Sequence, residues 1–120
     1  MNINDFLTKA NELFDPFIFE SGQCHTFAKA LCNLFQGNLI AIMRYNQNEE
    51  FTTYSHMVAE INGCCYDISG NNADERWCEQ FDENNDFDYV NIKVEELNNF
   101  LNKWETSIDE TILNTLLTIK

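Results

Sequence analysis

Apolar residues recur every three or four positions near the start of the chain, which is typical of helices that bury one face. The first such stripe covers residues 3–14 and ends at Asp15-Pro16. A second stripe covers residues 24–35, with Gly37 as its stop. The pattern therefore predicts two N-terminal helices, joined by residues 17–20 as a strand or a buried loop.

The middle of the chain has the pattern of strands. Residues 39–43 form an apolar run too short for a typical helix, and residues 51–61 and 64–68 flank Asn62-Gly63. Asn-Gly between two such runs is a strong signal for a β-hairpin. Residues 89–94 alternate between apolar and polar side chains and predict one more strand.

Two more helical stripes, at residues 95–104 and 107–117, complete the pattern. The predicted order is helix, helix, three-strand meander, acidic loop, strand and C-terminal helices. We therefore expect an α+β fold in which N-terminal helices pack on a small antiparallel sheet. A chain of 120 residues suits one domain, covering residues 1–120.

The register of the hairpin follows from its turn. If Asn62-Gly63 are the two central turn residues, the numbers of opposed residues add up to 125. His56 then lies opposite Ser69, and Val58 lies opposite Asp67. His56 and Asp67 become diagonal neighbours on one face of the sheet, close enough for their side chains to touch.

An imidazole beside a carboxylate is a base held in one orientation, and it needs a nucleophile. Cys24 is the candidate, because the first turn of a helix favours a thiolate over a thiol. We expect Cys24, His56 and Asp67 to form one site, with Gln23 as an oxyanion candidate. His25 is expected to point away from Cys24, at the surface.

A structural role for the thiol is the competing interpretation. Cys24 shares its predicted helix face with Phe27 and Leu31. Free cysteine is among the most buried residue types, so this position also suits a core residue.

Residues 21–31 and 55–70 together resemble the papain-like cysteine hydrolases of small bacterial and phage proteins: a Cys opens a helix, a His follows on a strand, and a polar residue lies on the next strand. The resemblance implies a papain-like fold and a thiol hydrolase or acyl transferase, with Cys24 as nucleophile, His56 as base and Asp67 as orienting residue. Larger peptidases of that kind carry their oxyanion Gln several residues upstream of the nucleophile, whereas Gln23 is adjacent to Cys24. A short chain suits a small amide, isopeptide or ester substrate.

Net charge restricts the partners. The chain carries −13, of which residues 1–60 carry −4 (seven acids, three bases) and residues 61–120 carry −9 (thirteen acids, four bases). Such a field repels nucleic acid and anionic membranes and attracts a basic protein surface.

The alternative function is thus a small acidic inhibitor or decoy, of phage or mobile-element type, that binds a basic groove of a host protein. Its binding residues would be Asp74, Glu75, Glu79, Asp82, Glu83, Asp86 and Asp88. The plainer interpretation of this run is a solvated loop that keeps the protein soluble.

Metal and cofactor motifs are weak. Residues 82–88 resemble a calcium loop, but Phe87 replaces its glycine and Lys93 replaces its bidentate Glu. The cysteines lack the short spacing of a zinc knuckle, and no phosphate-binding glycine loop is present. We expect no metal and no cofactor. Five cysteines without a framework, and no leader or membrane span, predict reduced thiols in the cytoplasm.

Overall fold

The hairpin around Asn62-Gly63 is the centre of the structure, a computed structural model that describes residues 1–119. Both turn residues have left-handed backbone angles, with φ of 52° and 81°, which the Asn-Gly pair tolerates. The strands on either side pair as Ala59 with Tyr66 and Ile61 with Cys64, so opposed numbers add up to 125. The predicted register is confirmed.

The chain forms six α-helices and five strands within the described residues. In chain order they are α1 (Ile3–Leu13), α2 (Phe17–Ser21), α3 (Cys24–Phe35), β1 (Asn38–Asn46), β2 (Phe51–Ile61), β3 (Cys64–Asp67), β4 (Gly70–Asn71), α4 (Ala73–Glu79), β5 (Asn85–Ile92), a 3-10 turn (Val94–Glu96), α5 (Leu97–Lys103) and α6 (Glu110–Leu117). The strands form one antiparallel sheet in the order β4-β3-β2-β1-β5. The predicted α+β class and the three-strand meander are confirmed.

Most of the core lies between the helices and one face of this sheet. Its centre consists of aromatic residues of α1, α2 and α3, with ring centroids of Phe19 and Phe27 4.9 Å apart and those of Phe6 and Phe27 5.7 Å apart. A smaller cluster on the other face contains Ile42 and Val58. Both faces of β1 and β2 are therefore covered, which buries the middle of the sheet.

Gly37 permits the close packing of α3 on the sheet. A Cβ atom at this position would lie 2.7 Å from both the carbonyl oxygen of Glu60 and Cγ1 of Ile61. The turn after α3 thus approaches β2 more closely than any residue with a side chain would allow.

Three predicted segments differ from the structure. Residues 17–20 belong to the helix α2, because the Asp15 carboxylate accepts the backbone N–H of Phe17 at 3.0 Å and starts a new helix. Part of the predicted acidic loop is the helix α4, whose first turn carries Asp74 and Glu75, where the helix dipole favours acids. The last strand covers Asn85–Ile92 rather than 89–94.

Within residues 1–119, no helix could cross a membrane. The longest, α3, has 12 residues, whereas a span needs about 20.

Candidate active site

Cys24 is the first residue of α3. The residue before it, Gln23, has non-helical backbone angles and makes no side-chain capping bond to the helix backbone. The free N–H groups of the first turn therefore surround the base of the Cys24 side chain, where they favour negative charge. Cys24 is partly buried, which suits a thiol that a small molecule can reach.

His56 and Asp67 are in direct contact, as the hairpin register predicts. Nε2 of His56 lies 2.9 Å from Oδ2 of Asp67, and His56 is 1% exposed. The other carboxylate oxygen accepts the backbone N–H of Ser69 at 2.8 Å and its hydroxyl at 2.5 Å. The carboxylate is thus fixed on one side by the β3–β4 turn and on the other by the imidazole.

Trp77 of α4 covers the imidazole. Its ring stacks on His56 with centroids 4.1 Å apart and an angle of 8° between the planes. The indole N–H donates to Oγ of Ser55 at 2.7 Å. The acidic segment therefore supplies one wall of the site through an aromatic residue, which also holds the His56 ring in place.

The second ring nitrogen of His56 is the one that Asp67 leaves available. Nδ1 of His56 is buried and makes no hydrogen bond within residues 1–119, while the Cys24 and His56 side chains shift each other's pKa. A buried nitrogen without a hydrogen-bond partner lowers the stability of the fold, and such nitrogens occur in native proteins where they have a catalytic role. The structure thus pairs His56 with Asp67, and the mutual pKa shifts of Cys24 and His56 indicate that the thiol is close enough to interact with the ring.

The charges of the three groups support one another. Burial alone would raise the pKa of Cys24, but the rings of His25 and His56, the positive charge of His56 and the Tyr54 hydroxyl outweigh it and lower the pKa from 9.0 to about 5. Burial would lower the pKa of His56, yet its bond to Asp67 and the nearby Cys24 sulfur raise it from 6.5 to about 9. Burial would raise the pKa of Asp67, but bonds from His56 and Ser69 lower it. A thiolate–imidazolium pair beside a carboxylate is therefore the favoured state near neutral pH.

Three other thiols have pKa values shifted in the opposite direction. Burial raises the pKa of Cys32 to about 12 and that of Cys65 to about 11, the latter with help from Asp74. Burial also raises the pKa of Cys78. All five cysteines are free thiols, and the pKa of Cys24 moves in the direction opposite to those of Cys32, Cys65 and Cys78.

Tyr54 and His25 are site residues that the sequence did not reveal. The Tyr54 hydroxyl lies 3.3 Å from Sγ of Cys24 and 3.4 Å from Nδ1 of His25. Nε2 of His25 lies 2.8 Å from the carbonyl oxygen of Ser107, so the nitrogen that donates is fixed by the chain before α6. His25 is 2% exposed, and its expected surface position is wrong, because α6 and the segment before it cover that side of α3.

A cleft of about 270 Å³ lies over the thiol. Its walls include Glu20, Cys24, Tyr54, Ser55 and Trp104. A second cleft of about 340 Å³ borders Asp67 and Trp77 and shares Glu20 with the first. The first volume fits a group of about the size of one side chain, and Cys24 lines its wall.

Gln23 has a different position from the one expected for an oxyanion donor. Its side-chain oxygen accepts the hydroxyl of Thr26 and, at 3.2 Å, the backbone N–H of Asp109. Gln23 is not one of the described residues that line the cleft over Cys24. Its side chain links α3 to the start of α6.

The seven acidic residues of the predicted binding surface lie on α4, on the loop after it and on β5. All except the partly buried Asp74 are exposed. Asp82 accepts the backbone N–H of Asn84 at 3.0 Å, and Asp86 lies within 3.5 Å of the Gln47 side-chain nitrogen. Within residues 1–119, no group of three or more His, Cys, Asp or Glu side chains is arranged to hold a metal ion.

Fold and site together define an α+β protein in which a hydrogen-bonded histidine–aspartate pair interacts electrostatically with a cysteine that opens a helix. The chain belongs to the Phage YunG-like protein family, whose model matches residues 3–110. The matched range contains Cys24, Tyr54, His56 and Asp67. Neither the curated proteins nor the solved structures gave a match.

Proposed function

We propose that the chain is a papain-like thiol hydrolase or acyl transferase that acts on an amide, isopeptide or ester bond. The observation that carries this proposal is the unpartnered Nδ1 of His56: Asp67 holds Nε2 at 2.9 Å, which leaves Nδ1 available to Cys24, and the Cys24 sulfur in turn raises the pKa of His56. A histidine with one nitrogen fixed and the other facing a nucleophile is the arrangement that general-base catalysis requires.

In the proposed reaction, the Cys24 thiolate attacks a carbonyl carbon, and a C–S bond forms as the carbonyl π pair moves to oxygen. The tetrahedral intermediate collapses, the bond to the leaving group breaks, and His56 donates its Nδ1 proton to that group. The neutral imidazole then accepts a proton from water or an acceptor amine, which attacks the thioester and releases Cys24. Asp67 holds the ring and stabilises its protonated form throughout.

The size of the cleft supports a small acyl group. About 270 Å³ over Cys24 holds a side chain or a short acyl chain rather than several residues of a peptide. The order of a helix-opening cysteine, a strand histidine and an aspartate on the next strand supports the papain-like assignment.

The proposal is tested by the reactivity of the thiols toward iodoacetamide near neutral pH, followed peptide by peptide with mass spectrometry. We expect Cys24 to be alkylated first, and Cys24→Ala to remove the fast phase without unfolding the protein. The matched control is Cys78→Ala, which removes another partly buried thiol and should leave the fast phase intact. If Cys24 reacts no faster than Cys78 or than a denatured control, the nucleophile assignment fails.

The second candidate function is the acidic inhibitor or decoy. It is favoured by the exposure of the acids on α4 and β5, and by the position of β5 at an edge of the sheet. A basic partner bound through this surface should dissociate as ionic strength rises and should bind Cys24→Ala as well as it binds the native chain. Binding that depends on Cys24 would contradict this candidate.

A further inference from the structure

A bulge in β2 determines where Tyr54 lies. Ile42 of β1 pairs with His56, but the next residue, Met43, pairs with Tyr54, so Ser55 is an extra residue in the strand. In a regular strand with Ser55 paired in its turn, Tyr54 and His56 would be two residues apart and would point to the same face of the sheet. The bulge separates them: Tyr54 packs against the main core, while its hydroxyl reaches Cys24.

The Tyr54 hydroxyl lies 3.3 Å from Sγ of Cys24, within hydrogen-bond distance of the sulfur. It lines the same cleft as Cys24, so a carbonyl group bound there would lie beside it. Gln23, the expected donor, does not line that cleft, and its amide oxygen is bonded to Thr26 and to the Asp109 backbone.

We infer that Tyr54 is a catalytic residue whose hydroxyl donates a hydrogen bond to the oxyanion formed when Cys24 attacks a carbonyl. This inference rests on the proposed function. It assigns to a strand tyrosine the role for which Gln23 was the sequence candidate.

The step follows the charge. Before attack, the negative charge is on Sγ, and the Tyr54 O–H can donate to it across 3.3 Å. As the C–S bond forms, the carbonyl π pair moves to the oxygen, which is then bonded to the same carbon as the sulfur and lies next to it. The O–H turns from sulfur to oxygen and keeps its proton. When the leaving-group bond breaks and the carbonyl re-forms, the O–H turns back.

Two features keep Tyr54 suited to this role. Nε2–H of His25 donates to the Ser107 carbonyl, which fixes the ring with Nδ1 3.4 Å from the Tyr54 oxygen. The single Tyr54 proton can go to Nδ1 or to Sγ of Cys24, and a charged thiolate or oxyanion is the stronger acceptor, so Nδ1 holds the hydroxyl beside Cys24 without keeping its proton. Burial, first, and the adjacent Cys24 sulfur raise the pKa of Tyr54 well above 10.0, so the hydroxyl remains a donor. His25 is in this respect a positioning residue.

The test compares two reactions of the same thiol. Alkylation by iodoacetamide creates no oxyanion, whereas acylation by p-nitrophenyl acetate passes through one. In Tyr54→Phe the ring and its edge contact with Phe100, at 5.2 Å between centroids, can be retained. We expect the acylation rate of Cys24 to fall by about 100-fold to 1,000-fold, the usual effect of losing one oxyanion donor, while alkylation changes by about threefold or less.

Tyr89→Phe is the matched control, because the Tyr89 hydroxyl also lies 3.3 Å from a cysteine sulfur, that of Cys78. It should leave both Cys24 rates unchanged. Acylation and alkylation falling equally in Tyr54→Phe would overturn the inference, since Tyr54 would then act only on the thiolate or on folding. Unchanged acylation would also overturn it. A native chain that is alkylated rapidly but never acylated at Cys24 would instead contradict the proposed function, and the role of Tyr54 with it.

Discussion

Two cysteine–tyrosine pairs in this protein have the same spacing and opposite chemistry. Cys24 lies 3.3 Å from the Tyr54 hydroxyl, and Cys78 lies 3.3 Å from the Tyr89 hydroxyl. The pKa of Cys24 is lowered to about 5 although its surroundings are buried, whereas burial and the charge of Asp74 raise the pKa of Cys78 above 9.0.

The difference shows that a tyrosine contact alone does not activate a thiol. Each hydroxyl lowers the pKa of its cysteine, but in the Cys78 pair burial and a carboxylate are stronger. At Cys24 the balance is reversed by imidazole groups, of which His56 carries a positive charge held by Asp67. The carboxylate that acts through a histidine therefore favours the thiolate, while the carboxylate that faces a thiol directly opposes it.

The largest effect should be found in the pH dependence of alkylation. Cys24, with a pKa of about 5, and His56, with a pKa of about 9, keep the ion pair intact between these values, so its rate should be flat from about pH 6 to pH 8. The rate should fall as the sulfur is protonated below about pH 5. Cys78, with its raised pKa, should react about 100-fold faster at the upper than at the lower of those two pH values, because its thiolate fraction rises about tenfold per unit. Peptide-resolved rates that rise in parallel for both thiols would contradict the comparison.

His56→Gln should make Cys24 resemble Cys78. The amide can still bond to Asp67 but carries no positive charge, so the pKa of Cys24 should rise and its thiolate absorbance near neutral pH should be lost. We expect alkylation at about pH 6 to slow because less thiolate is present. The slowing should be limited to about tenfold, because the remaining thiolate is more basic and intrinsically more nucleophilic. His25→Gln is the companion variant, and it should slow alkylation less if His56 supplies the charge.

Asp67→Asn should have an intermediate effect. The variant keeps a partner for Nε2 but removes the charge that favours the imidazolium, so the pKa of His56 should fall and that of Cys24 should rise. We expect alkylation at about pH 6 to slow by about threefold. The NMR chemical shifts of the His56 ring, followed against pH, would measure its pKa directly. A pKa of His56 that is unchanged in Asp67→Asn would show that Asp67 does not stabilise the imidazolium.

Asp74→Asn should have the smallest effect, and on the other pair. Removing this charge should lower the pKa of Cys78 and raise its alkylation rate by about twofold at low salt and less at high salt, because Asp74 is only partly buried. Cys24 should react as before. A changed Cys24 rate would mean that the acidic segment influences the site electrostatically.

The sequence predicted the parts of the site that follow from short-range rules. Asn62-Gly63 fixed the register of the hairpin, and alternation along β2 and β3 then placed His56 beside Asp67. The helix stripe placed Cys24 at the first turn of α3. Each of these inferences needed only a period and a turn.

What the sequence did not predict depends on longer-range packing. The extra residue Ser55 in β2 has no local signal, because the bulge is visible only against the register with β1, and it decides where Tyr54 points. His25 is buried by a segment more than eighty positions later, whose Ser107 carbonyl lies 2.8 Å from its ring. The sequence predicts a loop for the acidic run, because its dense charge obscures the periodicity of a two-turn helix whose Trp77 packs on His56.

The stacking of the Trp77 indole on His56 means that tryptophan fluorescence can report the protonation state of His56. A protonated imidazole stacked at 4.1 Å quenches indole fluorescence. The second tryptophan, Trp104, is 36% exposed and lines the cleft over Cys24 rather than stacking on His56. The fluorescence of Trp77 should therefore increase at high pH, when His56 loses its proton. Occupation of the site could be followed in the same way, without a dye or a chromogenic substrate.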